Sequence, residues 1–126
     1  MRFFSNSTPI TDAEITDAEL AFGIKIPQPL RQIILEHNGA TWENESGMVD
    51  SLISFSKGNI CNIYNLYELP EGYLPFADDG AEGCFALSGK DDEGIVHFGC
   101  ADDGQPMKKV AKDFDAFVLI IGSPAQ

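Results

Sequence analysis

Apolar positions in this chain switch between two periods, and the switches divide it into helical ends and a strand-rich middle. Ile15, Ala18 and Phe22 recur on one stripe of a first helix, and Leu30, Ile33, Ile34 and His37 on one stripe of a second. Thr11-Asp12-Ala13-Glu14 and Thr16-Asp17-Ala18-Glu19 both fit the capping-box pattern. The first is the preferred start, because it places Asp12, Glu14, Asp17 and Glu19 in the early turns, where the helix dipole favours carboxylates. The five-residue echo is too short for a stacked repeat. Gly23 can close the first helix in the left-handed conformation, Pro29 suits the first turn of the second, and Asn38-Gly39 supplies its stop.

Beyond the second helix the period falls to two. Trp42 to Gly47 reads as a polar loop, and Val49, Ser51, Ile53 and Phe55 alternate along a strand broken by Lys57-Gly58-Asn59. Ile60, Ile63, Tyr64 and Tyr67 return to helical spacing with Asn59 or Asn62 as cap, although their branched and aromatic content leaves a strand open. Tyr73 to Ala77 is a short strand closed by Asp78-Asp79-Gly80. Cys84 to Leu87 and Ile95 to Phe98 form the arms of a hairpin. Placing Phe85, Leu87, Val96 and Phe98 on the core face leaves Cys84 and His97 together on the other, with Cys100 on the core face, against a Cys84–Cys100 bridge. A last strand, Met107 to Val110, leads to a helix capped by Asp113 with Phe114, Phe117, Val118 and Ile121 on one stripe and Gly122 and Pro124 beyond. Helices, then strands, then a helix predict an α+β domain over residues 1–126: an antiparallel sheet with helices packed on one face.

Charge sharpens the picture. The 126 residues carry 20 Asp and Glu against 8 Lys and Arg, a formal net of -12, so polyanions such as nucleic acid and anionic lipid are disfavoured as direct partners and a cationic one is favoured. With 44% hydrophobic and 22% charged residues the chain belongs with globular domains, not disordered ones. The opening Met1-Arg2-Phe3-Phe4-Ser5-Asn6-Ser7 turns polar too soon for a secretory signal, and the apolar run 116–121 is far short of the ~20 residues of a membrane span. Three widely spaced cysteines, Cys61, Cys84 and Cys100, fit reduced thiols. A cytoplasmic protein is the expectation.

The acids are also unevenly spread. Asp78, Asp79, Glu82, Asp91, Asp92, Glu93, Asp102 and Asp103 face only Lys90 between positions 77 and 104, which places seven of the twelve excess negative charges in under a quarter of the chain. Turn chemistry accounts for part of this, but not for adjacent carboxylates, which repel by ~1 kcal/mol at 4 Å even in water. If the three loops meet at one rim of the sheet, these eight acids form a surface that captures a basic partner. Trp42, beside the loop, is either a cover over the core edge or an anchor for that partner.

Candidate chemistry is sparse. Asp-Asp-Gly at Asp78 and Asp102 lacks the alternating oxygen ligands and terminal Glu of a calcium loop, and the cysteines and histidines show no zinc spacing, so no metal or cofactor is expected. Cys84 with His97 is the best nucleophile–base pair on offer, but the surrounding acids would raise the thiol pKa. Asp78-Asp79 as an acid–base pair lacks an apolar pocket, and no glycine-rich phosphate loop is present. No enzyme is expected.

In the order and spacing of several short segments the chain resembles the SUKH superfamily of Smi/Knr-like domains. They are Ile10-Thr11, Gly23-Ile24-Lys25-Ile26-Pro27, His37-Asn38-Gly39, Pro75-Phe76-Ala77-Asp78-Asp79-Gly80, Gly94-Ile95-Val96-His97-Phe98 and Val110-Ala111-Lys112-Asp113-Phe114-Asp115-Ala116-Phe117. Pro29, where acidic or polar residues are usual, and Gly99-Cys100, where an acidic-aromatic position is common, depart from the pattern. The resemblance implies an immunity protein that binds and occludes a cognate toxin domain, with a basic nuclease as the expected target. The alternative is a regulatory scaffold domain docking on proteins unrelated to toxins, as in the yeast relative. Family motifs mainly hold the scaffold, so the resemblance assigns no toxin-contacting residues.

Overall fold

The computed structural model describes residues 2–4, 9–55, 71–80, 83–90, 93–99 and 107–122. Among these, β1 (Arg2–Phe4) precedes two helices, α1 (Asp12–Phe22) and α2 (Gln28–His37). Six strands follow: β2 (Thr41–Glu43), β3 (Ser51–Leu52), β4 (Tyr73–Asp78), β5 (Cys84–Ser88), β6 (Ile95–Phe98) and β7 (Met107–Ala111). The last element is α3 (Phe114–Ile121). The strands form one sheet in chain order, each antiparallel to the next. This is the α+β architecture the residue pattern predicts.

The helical entry follows its local chemistry. Thr11 Oγ1 accepts from Glu14 N at 3.2 Å while Thr11 N donates to Glu14 Oε1 at 3.2 Å, a closed capping box. Gly23, at φ 68°, ends α1 in the left-handed region, and Pro29 sits in the first turn of α2. The early acids of α1 have a second role besides the dipole. Arg31 of α2 reaches Asp12 Oδ1 at 2.8 Å, Glu19 Oε1 at 2.9 Å and Thr16 Oγ1 at 2.8 Å, so one guanidinium clamps the two helices together. Buried Asn38, at the end of α2, accepts from Phe55 N at 2.7 Å and donates to Ser54 Oγ at 3.1 Å, fixing where the chain runs after β3.

Aromatic rings join helices to sheet. Phe117 of α3 lies 5.2 Å from Phe85 and 5.5 Å from Phe76, centroid to centroid, and Trp42 of β2 meets Phe3 and Phe114 at a tilt and Phe117 edge-on. Pro75 cannot donate to a ladder, and β4 accommodates it with a bulge between Pro75 and Ala77.

Three expectations need correction. Thr41–Glu43 is a strand, not the start of a loop: it pairs with Arg2–Phe4, and the Trp42 ring is buried against Phe3, Phe114 and Phe117. The strand expected over Val49 to Phe55 shortens to Ser51–Leu52, with Leu52, Ile53 and Phe55 all buried instead of alternating. In the β5–β6 hairpin, Phe85 pairs with His97, Cys84 with Phe98 and Leu87 with Ile95. Phe85, Leu87, Ile95 and His97 therefore share one face, and Cys84, Ala86, Val96 and Phe98 the other. Both faces are apolar and covered, so hydrophobicity alone did not discriminate between registers one residue apart. The element expected from Ile60 to Tyr67 lies outside the described residues.

Candidate functional site

Successive hairpins of an antiparallel meander turn at opposite ends of the sheet, and this decides how the acids are grouped. Asp78, Cys84, Phe98 and Met107 form a cross-strand row at one end, where the β4–β5 connection turns and the β6–β7 connection begins and ends. Ser88 and Gly94 mark the other end, their backbones joined at 2.9 Å. Glu93 sits there, one five-residue strand, or about 17 Å, from Asp78 and Asp79. Of the described acids, Asp78 and Asp79 therefore share one end of the sheet and Glu93 takes the other. Glu82, Asp91, Asp92, Asp102 and Asp103 lie outside the described residues.

The described acids are woven into the turns they occupy. Asp78 accepts from Ser51 Oγ at 2.7 Å and from Gly80 N at 3.0 Å. Asp79 accepts from Gly83 N at 3.0 Å through Oδ1, and its Oδ2 lies 2.8 Å from His97 Nε2. An ionised carboxylate only accepts, so Nε2 carries the proton of that bond. Gly83 is required by close approach: a Cβ there would stand 2.4 Å from Asp79 Oδ2, 2.6 Å from Phe98 O and 2.8 Å from His97 Nε2. At the far end, Glu93 Oε1 accepts from Tyr73 Oη at 2.5 Å and Ser88 Oγ at 2.7 Å, and these two bonds, in that order, lower its pKa below the usual carboxylate value. Burial, followed by the Glu93 bond, raises the Tyr73 hydroxyl, and the Lys90 ammonium lies 5.1 Å from the Tyr73 ring centroid.

Two further sequence candidates change character. Trp42 is 2% exposed, and its indole N–H has no acceptor among the described residues, so it forms part of the core and has no surface for anchoring a partner. Cys84 and His97 project from opposite faces of the sheet, which removes them as a nucleophile–base pair. Burial pushes the Cys84 thiol up to about 12, with the charges of Asp79 and then Asp78 adding to the rise. Cys84 is thus expected to resist a maleimide reagent at pH 8 in the native state and to react at a normal thiol rate in urea. Peptide mapping reads this, and native labelling at Cys84 would contradict the burial.

The cleft that the sequence did not announce lies at the Asp78 end. It encloses about 420 Å³ and is lined by Phe85, Val110 and Met48 together with His97, Asp79, Lys108 and Lys109. Cross-strand pairing sets Lys108 beside His97, on the face that carries Phe85. Met48 is held by a short relay: Ser46 N donates to Ile121 O at 2.9 Å, and Met48 N donates to Ser46 Oγ at 3.0 Å. Only the spacing of His97 and Lys108 on adjacent strands could have signalled the cleft, and that requires the register. Among the described residues no group of three or more His, Cys, Asp or Glu could hold a metal ion. No helix among them is long and apolar enough to cross a membrane.

Comparison with curated proteins finds no match. Comparison with protein families does: residues 9–119, from the approach to α1 into α3 and including the cleft and its Asp79–His97 bond, fit the SMI1 / KNR4 family (SUKH-1), and the chain belongs to that family.

Proposed function

We propose that this protein is a cytoplasmic, non-enzymatic immunity protein that binds a cognate toxin domain of basic surface, a nuclease being the favoured class, and occludes its active site or substrate path. Family membership over residues 9–119 carries the reading, since that family is consistent with toxin immunity in general. The net charge of -12 supports a cationic partner.

The order of the strands divides the candidate acids into two groups. In sequence, Glu82 falls between β4 and β5, as Asp79 does, and Asp102 and Asp103 fall between β6 and β7. Asp91 and Asp92 fall in sequence between β5 and β6, next to Lys90 and to Glu93, which sits at the opposite end of the sheet. The Asp78 end is the docking end in this proposal, and the opposite end contributes long-range field.

The test uses the toxin domain encoded by the adjacent reading frame. Replacing Glu82, Asp102 and Asp103 by Lys is expected to slow association by about 10-fold or more at low salt, with the loss shrinking as salt rises. Replacing Asp91 and Asp92 by Lys is expected to cost less. Equal effects at the two ends would overturn the docking assignment, and absence of binding to that toxin would overturn the immunity reading.

A further inference from the structure

We propose that the outer side of β2, with the aromatic step made by Trp42 and His37, is a strand-addition site. In the free protein β1 fills it, and an extended segment of another protein, with an aromatic side chain in the place of Phe3, fills it by displacing β1. The proposal does not depend on that protein being a toxin.

The first strand stands apart from the rest of the sheet. It is three residues long, pairs with β2, and alone among the described strands precedes the family segment, so within residues 9–119 the edge of the described sheet is β2. An edge strand offers its N–H and C=O groups to any extended chain that can reach them. Which groups these are follows from the β3 side. Trp42 N donates to Asp50 O at 2.9 Å, so the backbone of Trp42 is turned towards β3, and the backbones of Thr41 and Glu43, opposite Phe4 and Arg2, are turned towards β1. Phe3 and Trp42 are then a non-hydrogen-bonded pair, in which side chains approach most closely.

The side chains select an aromatic. The half-buried Phe3 ring lies flat on the His37 imidazole, with centroids 4.4 Å apart and planes 15° from parallel, and its centroid is 5.3 Å from that of Trp42 at a tilt. His37 comes from the last turn of α2 and Trp42 from β2, so the receiving side of this contact belongs to the family segment and is built without β1. A flat ring uses both faces, whereas an aliphatic side chain gives up the stacking.

The seat is incompletely satisfied by its present occupant. The buried Trp42 indole N–H has no acceptor with β1 in place. A strand of three residues also makes few contacts against the entropy lost in ordering it, which puts β1 at the low-stability end of the fold. A partner whose wider surface holds its segment nearby competes through effective concentration, without needing a better strand than β1.

Trp42 is the one tryptophan of the chain, so its fluorescence reports on the site. The probe is a capped peptide with the sequence of residues 1–5, titrated into the intact protein and into its Phe3→Asp variant, with the Thr41 and Glu43 amide shifts followed by NMR. The variant, its own β1 loosened, is expected to bind with a dissociation constant on the order of 1 mM, and the unaltered protein at least about 10-fold more weakly, because β1 competes within the chain. The Phe3→Ala peptide should lose most of the binding. Equal affinity for the two proteins, equal binding of the two peptides, shifts confined to other residues, or no saturation of the variant by about 10 mM would overturn the site.

A second measurement needs no variant. After correction for intrinsic rates, the amides of Thr41 and Glu43 in the unaltered protein should exchange with deuterium at least about 10-fold faster than that of Trp42, since release of β1 frees the first two and leaves the Trp42–Asp50 bond intact. Equal protection at all three would show that β1 leaves only when β2 does, and would overturn the displacement.

Discussion

Phe117→Ala is expected to destabilise the fold by about 3–5 kcal/mol, the usual cost of truncating a fully buried phenylalanine. Phe117 has no exposed surface, and its ring contacts Phe76 and Phe85 of the sheet, Trp42 of β2 and Phe114 of its own helix at centroid distances from 5.2 to 6.3 Å. Removing it opens a void where the helix meets the middle of the sheet. These neighbours are themselves large rings, which cannot collapse into the space without leaving their rotamers. A fall in the thermal midpoint on the order of 10 °C or more should accompany the loss, and Phe117→Leu, which retains more of the volume, should lose less. A change below about 1 kcal/mol would mean that α3 is not seated on this face as described.

The same helix shows how much of the architecture was legible in the residues. Asp113 as cap and the stripe of Phe114, Phe117, Val118 and Ile121 were readable from helical spacing; Phe114, Phe117 and Ile121 are buried and Val118 is half-buried, while Leu119 and Ile120 face outwards. The α1–α2 entry was legible for a related reason: the signals of Thr11, Gly23, Pro29 and Asn38 are local and need no knowledge of the partner element. The Arg31 clamp was not, since it spans 19 residues to Asp12 and looks in sequence like one surface charge among many.

The β5–β6 register failed for a physical reason. When Cys84, Phe85, Ala86 and Leu87 are all buried, the period-two signal that assigns faces vanishes, and parity must come from the loop geometry. The candidate site depended on that register twice. It separated Cys84 from His97, and it brought His97 to Lys108 and Phe85. The grouping of the acids was not legible for a different reason: consecutive hairpins alternate between ends, so Asp79 and Glu93, close in sequence across β5, lie at opposite ends of the sheet. Asp78, Asp79 and Glu93 also show that turn acids satisfying backbone and hydroxyl donors can imitate a binding cluster in composition.

Gly94→Ala is expected to lose about 2–5 kcal/mol, the sum of a left-handed backbone for a residue with a Cβ and an overpacked contact. Gly94 has φ 66°, and a Cβ there would stand 2.4 Å from both Ala111 O and Lys112 O, and 2.6 Å from Lys112 C. These are backbone atoms at the end of β7, so they cannot swing aside as a lysine tip could. The crowding has a structural origin. The register of β6 against β7 shifts between Ile95 and Val96, which draws the β7 end across Gly94, while Gly94 O accepts from Ser88 N at 2.9 Å on its other side. Relief in either direction must pull β6 from β5 or from β7. The measurable result is a lower urea midpoint with an unchanged slope. A variant of normal stability would show that the two strands do not close on this glycine.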